Sequence, residues 1–357
     1  MKDKEIVLSG IRATGNLHLG NYYGALSKFV RMQDDPHYDN LFFIADLHAL
    51  TTNPDPDQLH ANVKNIVVEY LAAGLDPEKS NIFIQSDVPE VSEMYLLLNM
   101  HVGIGELMRT ASFKDKARKA LGINADPAND HIESEICGNE TNSKRVNAGL
   151  LTYPTLMAVD ILIQKADKVP VGKDQEQHLE LTRRFARRFN SFYGVDYFPE
   201  PVNFDFVGHA VKVPGLDGSG KMGKSEGNCI YLIDDEKTLR KKVMRAVTDE
   251  GPKTPNQEIS QPIQNLFTLM ELTSDPAVLQ QFKDAYADCS IRYGDLKKQL
   301  AEDILKVTLP IRERILELQK DDEYVGRVLR QGAEVARERA SKTLREVREI
   351  MGIRKFY

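Results

Sequence analysis

Short continuous apolar runs alternate with helically spaced apolar positions early in the chain, whereas beyond Asp234 helical spacing alone remains. Ile6-Val-Leu-Ser-Gly10 reads as a buried strand ending at glycine. After a glycine-bearing turn, Tyr22, Leu26, Phe29 and Val30 fall on one face of a helix. Leu41-Phe-Phe-Ile-Ala45 is a second strand, residues 57–73 form a helix stopped by Gly74, and Asn81-Ile-Phe-Ile-Gln85 is a third strand. That order is the grammar of a parallel α/β sheet with right-handed crossovers. Residues 115–147 are polar, with turn clusters at Asp126-Pro-Ala-Asn-Asp130 and Gly138-Asn-Glu-Thr-Asn142, and read as a surface excursion. Then come a helix from Tyr153 to Ile163, a short strand at Lys168-Val-Pro-Val171 and a helix over residues 175–189. Farther on, Leu239, Val243, Ala246 and Val247 share a helical face. So do Leu296, Leu300 and Ile304, and again Val335, Ala336, Ala340, Leu344, Val347 and Met351. Pro310 is expected to kink or divide its helix. The pattern predicts an α/β domain over residues 1–228, with an insertion at about 117–147, and an all-helical domain over 229–357. The last helix is free to pack back on the first domain.

Composition mostly excludes. With 41% hydrophobic and 28% charged residues the chain is an ordinary globular one. No apolar run approaches the roughly 18 residues of a membrane span. Met1-Lys-Asp-Lys-Glu-Ile leads into a strand and leaves no room for a secretory signal, so a cytoplasmic address is expected. Cys137, Cys229 and Cys289 lie far apart with no CxxC pair, which argues against a disulfide framework or a cysteine-built metal site. A net charge of -6 does not mark a general nucleic-acid binder, although a local basic cluster can still meet a phosphate backbone.

Two stretches carry candidate chemistry. Gly15-Asn-Leu-His18-Leu-Gly20-Asn21 joins the first strand to the first helix. Its glycines permit a sharp turn, and the helix end beyond presents free N–H groups to an anion. Such turns are common, and its place after the first strand of an α/β sheet is what gives it weight. Gly218-Ser-Gly-Lys221-Met-Gly-Lys224-Ser225 fits a P-loop literally. A P-loop must open a helix, however, and here Glu226-Gly-Asn precedes an apolar, strand-like run from Cys229 to Ile233. The other reading is a glycine-hinged loop whose lysines meet phosphate oxygens as they gain charge.

Together, His18-Leu-Gly-Asn21 and Lys221-Met-Gly-Lys-Ser225 resemble the two signatures of class I aminoacyl-tRNA synthetases. Gly149-Leu-Leu-Thr-Tyr153-Pro-Thr-Leu-Met157-Ala-Val-Asp160 is similar to the amino-acid-binding stretch of the tryptophanyl-tRNA synthetases. So is Val169-Pro-Val-Gly172-Lys-Asp174-Gln175-Glu-Gln-His-Leu-Glu-Leu-Thr182, and the resemblance runs from Ile6 to about Gly352. It implies a Rossmann-like catalytic domain with a helical anticodon-binding domain. It also implies ligation of tryptophan to tRNA(Trp) through an adenylate, with diphosphate and AMP released.

By that resemblance Asp160 accepts the indole N–H, Leu8, Met157, Val169 and Val171 wall the ring, and Tyr153, Gln175 and His48 surround the amino group. Gly10 lets a ligand lie against the backbone. Arg12, Thr14, Gly20, Gly172, Asp174, Gln175 and Met222 contact ATP together with His18, Asn21, Lys221 and Lys224. The implied catalytic set is His18, Asn21, Lys116, Lys221, Lys224 and Ser225. Magnesium arrives with ATP, and no permanent cofactor, protein-held metal or iron–sulfur cluster is implied. The implied partners are tRNA(Trp) and a second copy in a homodimer, without a membrane. Basic residues available to tRNA are Arg240-Lys-Lys242 with Arg245, and Arg337, Arg339, Lys342, Arg345 and Arg348, each interleaved with acids. Three features depart from the pattern: Gly223 stands where the loop usually has serine, Arg12 where some relatives have glutamine, and the 117–147 excursion is long. Two rivals remain: a P-loop hydrolase and a non-catalytic tRNA-binding relative. Tyrosine is the rival substrate.

Overall fold

The computed structural model describes residues 4–123, 132–138, 140–172, 175–204, 206 and 212–356. Five parallel strands, β1 (Glu5–Arg12), β2 (Tyr38–Ala45), β3 (Ser80–Ile84), β4 (Lys168–Val169) and β5 (Val202–Asn203), lie in the order β3-β2-β1-β4-β5. The order reverses beside β1, which places a crevice at the carboxyl ends of β1 and β4.

The central strands read as unbroken apolar runs because both sheet faces are covered. Val7, Phe42, Ile44 and Ile82 point into one core, which continues through Leu239, Leu266 and Leu300 of the helical part. Leu8, Leu41, Phe43 and Phe83 point into the other, against Ile161, Phe185 and Leu344.

The last helix, Asp322–Ile350, lies on the parallel sheet, against β3. An added Cβ at Gly332 would stand 2.0 Å from the Ile82 carbonyl oxygen, so glycine alone permits this approach to edge strand β3. Arg339 pairs with Asp39, Arg348 with Glu93, and Ser341 donates to Glu90 at 2.6 Å. Arg339 and Arg348 therefore hold the helix to the α/β domain. Arg240 is likewise engaged, with Glu236 at 2.8 Å.

The described residues refine four sequence expectations. The 115–147 excursion is not simply loop: Ala111–Leu121, Ile132–Cys137 and Glu140–Arg145 are helical. Phe113, Ala117 and Leu121 recur every four residues and close a small core with Ile132. Residues 124–131 and 139, with the first turn cluster and part of the second, lie outside the described residues. Pro310 does not divide its helix, which runs unbroken over Tyr293–Leu318 with Ile304, Leu305, Ile311 and Ile315 buried on both sides of it. Strand β4 stops at Val169, two residues short of the expected end. The Cys229-to-Ile233 run joins no sheet; it makes a single antiparallel bridge, from Tyr231 to His18. No helix among the described residues is long and apolar enough to cross a membrane.

Candidate active site

A cavity of about 470 Å³ opens at the carboxyl ends of β1, β2 and β4, within the range of small-molecule sites. The Ala148–Ile163 helix sets its far wall. Asn147 caps that helix by accepting from the Leu150 N–H at 2.9 Å. From there Tyr153, Met157 and Asp160, spaced by four and three residues, face the cavity together. Leu8 forms the floor, and Val169 and Val171 the adjoining side.

Asp160 is 5% exposed and already engaged. Gln85 Nε2 donates to both carboxylate oxygens, at 2.8 and 2.9 Å, and His48 Nε2 stands 3.0 Å from Oδ2. Burial pushes the Asp160 carboxyl up, and the contacts with His48 and Gln85 pull it back. These bonds leave acceptor capacity on the carboxylate for one donor from the cavity.

Above lies the positive end. Lys116 Nζ sits 3.3 Å from the centre of the Tyr153 ring. Burial, and secondarily Arg12, lower the Lys116 ammonium to about 8. The Arg12 Nε is buried without a hydrogen-bond partner. Two desolvated cations with no ion pair among the described residues make a receptor for an anion.

The two glycine-bearing stretches meet beside this cavity. Leu19 N–H donates to Ile230 O at 2.9 Å and Leu232 N–H to Leu17 O at 3.0 Å. Lys224 Nζ donates to Gly15 O at 2.8 Å and lies 3.4 Å from Thr14 O. Burial, then Lys224 and Lys221, hold the His18 imidazole down at about 4, so it is neutral at physiological pH. Its Nδ1 is buried with no protein partner. Asn21 Oδ1 accepts from the His18 N–H at 3.1 Å, which leaves the Asn21 amide hydrogens for the cavity.

Two glycines make room for neighbouring side chains. A Cβ on Gly20 would meet the His18 ring at 2.7 Å, and one on Gly10 would meet the Phe43 ring at 2.4 Å. The ligand surface expected at Gly10 is therefore shared with Phe43, which also lines the cavity.

Of the residues singled out in the sequence, Gly10, Arg12, Asn21, His48, Lys116, Gly172 and Gln175 also border this space. His18, Gly20, Lys221, Met222 and Lys224 belong to the adjoining turn and loop, where Met222 is buried beside Gly20. The Thr14 side chain is exposed, and Ser225 is exposed and donates to neighbouring Glu226 at 3.1 Å, so neither side chain joins the cavity. Asp174 lies outside the described residues.

Sequence reading missed four residues. Gln85 is a polar residue closing an apolar strand, and His178 stands within the quoted 169–182 stretch. Asn228 clamps the lysine loop: its amide donates to Asp217 at 2.9 Å and Lys221 O at 3.1 Å, and its oxygen accepts from Gly223 N–H at 2.9 Å. Glu69 interrupts the apolar run of the Pro56–Ala72 helix and accepts from the Leu17 N–H at 2.7 Å.

Burial pushes the Glu69 carboxyl from 4.5 up to about 8, against the pull of Leu17 and Lys224. A raised folded pKa contributes stability below the unfolded value that is lost as pH rises through the folded one, here between 4.5 and about 8. Glu69→Gln keeps the acceptor for Leu17 and does not titrate. The melting temperature of the variant is expected to gain on wild type as pH rises from about 5 to about 9. Parallel curves across that window contradict the assignment.

Comparison with known proteins follows the same lines. The family model described as tRNA synthetases class I (W and Y) matches residues 1–308. A tryptophan–tRNA ligase of Porphyromonas gingivalis is 59% identical, covering 98% of this chain and 100% of its own. One from Fusobacterium nucleatum is 42% identical over 97% of each chain. The crystal structure of tryptophanyl-tRNA synthetase from Campylobacter jejuni complexed with ADP and tryptophan superposes with a TM-score of 0.80 at 32% identity, over 97% of this chain and 99% of that one. A chain that matches this family over most of its length, and that folds both glycine-bearing stretches beside one cavity, belongs to the class I tRNA synthetases of the tryptophan and tyrosine (W and Y) branch.

Proposed function

We propose that the protein activates L-tryptophan with Mg-ATP and transfers it to tRNA(Trp). The tryptophan carboxylate attacks the α-phosphorus, an O–P bond forms, the α–β bridge breaks and diphosphate leaves. The terminal ribose hydroxyl of the tRNA then takes the aminoacyl group and AMP departs. The observation that carries this reading is Asp160, a buried acceptor at the end of an apolar slot, because an indole nitrogen can only donate.

The protein contributes position and charge rather than covalent chemistry. Leu8, Met157, Val169 and Val171 wall the ring. Tyr153 and Gln175 hold the amino group, and Arg12 and Lys116 face the carboxylate and α-phosphate. Gly10, Gly20, Asn21, Gly172 and neutral His18 take the nucleotide. Lys221 and Lys224 move onto the departing diphosphate. Magnesium comes as part of the ATP complex, held by phosphates and water.

In the cytoplasm, where this reading places the enzyme, residues 229–357 bind the anticodon through exposed residues such as Lys241 and Arg245. A second copy docks on the α/β domain, and exposed Leu96 (55%), Met100 (69%) and Ile104 (66%) suit such a contact. Amino-acid-dependent ATP–diphosphate exchange across the twenty amino acids tests the specificity. Exchange with tryptophan alone is expected. Exchange driven by tyrosine overturns the substrate, and ATP hydrolysis without amino-acid dependence overturns the reaction.

A further inference from the structure

His178 is 1% exposed and belongs to the Glu176–Tyr193 helix, yet it touches three cavity-forming elements. Its Nε2 stands 2.7 Å from the Tyr153 hydroxyl and 2.7 Å from Ser112 Oγ, and its Nδ1 stands 2.8 Å from Gln175 Oε1. An amide oxygen only accepts, so Nδ1 carries the proton. With the ring neutral, Nε2 is then an acceptor. When the Tyr153 hydroxyl donates to it, the phenolic proton points away from the cavity; when Ser112 donates instead, the Tyr153 proton keeps that direction by going to the Ser112 oxygen, which Tyr153 also contacts. Burial pushes the Tyr153 hydroxyl up to about 12, so that proton stays in place at neutral pH.

We infer that His178 is a positioning residue that turns the Tyr153 proton away from the cavity, so that the phenolic oxygen accepts from the substrate's α-ammonium group. The same ring orients the Gln175 amide, the other amino-group contact. A cavity side that presents acceptors to an ammonium group selects an α-amino acid over the ring and carboxylate alone. This inference rests on the proposed reading in which Tyr153 and Gln175 hold the amino group.

The chain contains no tryptophan, so the indole fluorescence of a bound ligand reports occupancy without protein background. L-tryptophan and indole-3-propionate, which keeps ring and carboxylate but lacks the amine, are compared on wild type, His178→Leu and His178→Gln. Loss of a hydrogen bond to a charged group is expected to weaken tryptophan binding about 10- to 100-fold in His178→Leu and to leave indole-3-propionate within about twofold. His178→Gln, which keeps an acceptor for Tyr153, recovers most of the loss. In a Tyr153→Phe background the His178→Leu loss shrinks severalfold, because the effect runs through the hydroxyl. Where His178→Leu does not fold, Ser112→Ala carries the same comparison with a smaller loss confined to tryptophan.

Equal weakening of both ligands, or of neither, overturns the positioning role while tryptophan binding by wild type upholds the proposed function. Wild type that does not bind tryptophan overturns that function instead.

Discussion

Asp160→Asn raises the KM for tryptophan by about 100-fold and changes the KM for ATP by less than about threefold. The side chains are nearly isosteric, so the packing of the Ala148–Ile163 helix is retained. What changes is donor and acceptor count. Gln85 donates to both oxygens of Asp160, and asparagine offers one oxygen and an amide that is itself a donor. Gln85 and the indole N–H then compete for one acceptor, and a buried donor is left unmatched. A hydrogen bond to a charged group contributes roughly 1.5–3 kcal/mol, and an orphaned buried donor costs a further 1–3. Steady-state kinetics varying each substrate in turn check the split. Equal losses for tryptophan and ATP mean that the carboxylate only holds His48 and Gln85 in place.

Lys224→Ala lowers kcat of ATP–diphosphate exchange by about 10²- to 10³-fold and leaves tryptophan binding within about twofold. In this structure Lys224 rests on the Gly15 and Thr14 carbonyls, at the mouth of the signature turn and outside the cavity. A cation held on neutral carbonyls leaves them readily for a diphosphate that gains charge as it departs. Gly223 and Gly227, the latter at φ 66°, flank it and permit that motion. The His18 ring gives a second readout. Burial is the larger cause of its depression to about 4 and Lys224 the next, so the ring titrates at higher pH in the variant. A large drop in tryptophan affinity, or an unmoved His18 titration, places Lys224 elsewhere in the mechanism.

Features that depend on neighbouring residues were legible in the sequence. Strands β1, β2 and β3 are continuous apolar runs, the Pro56–Ala72 helix ends before Gly74, and both glycine-bearing stretches stand as short motifs. Asp160 and Tyr153 came from one helical stretch of recognised pattern. Features that depend on distant pairings were not legible. Gln85 meets Asp160 across 75 residues, and Ser112 meets His178 across 66. Nothing near Gly10 announces that the Phe43 ring fills the space beside it. The helices of the excursion are not legible because charged residues outnumber the apolar stripe of Phe113, Ala117 and Leu121. Pro310 shows tertiary burial overriding a local breaker, since buried apolar residues on both sides accompany a helix that continues through it. The Cys229-to-Ile233 run is apolar because it underlies the signature turn, a role that mimics a strand in period and not in pairing.

In the proposed enzyme one nucleotide is gripped between the His18 turn and the Lys221-to-Ser225 loop while an indole reaches Asp160. A crystal structure with tryptophan and a non-hydrolysable ATP analogue measures this directly. The expected result has the indole nitrogen within hydrogen-bond distance of Asp160, the nucleotide phosphates beside His18, and Lys224 moved from the Gly15 carbonyl onto a phosphate oxygen. Nucleotide bound away from the His18 turn, or an indole nitrogen with no contact to Asp160, contradicts it.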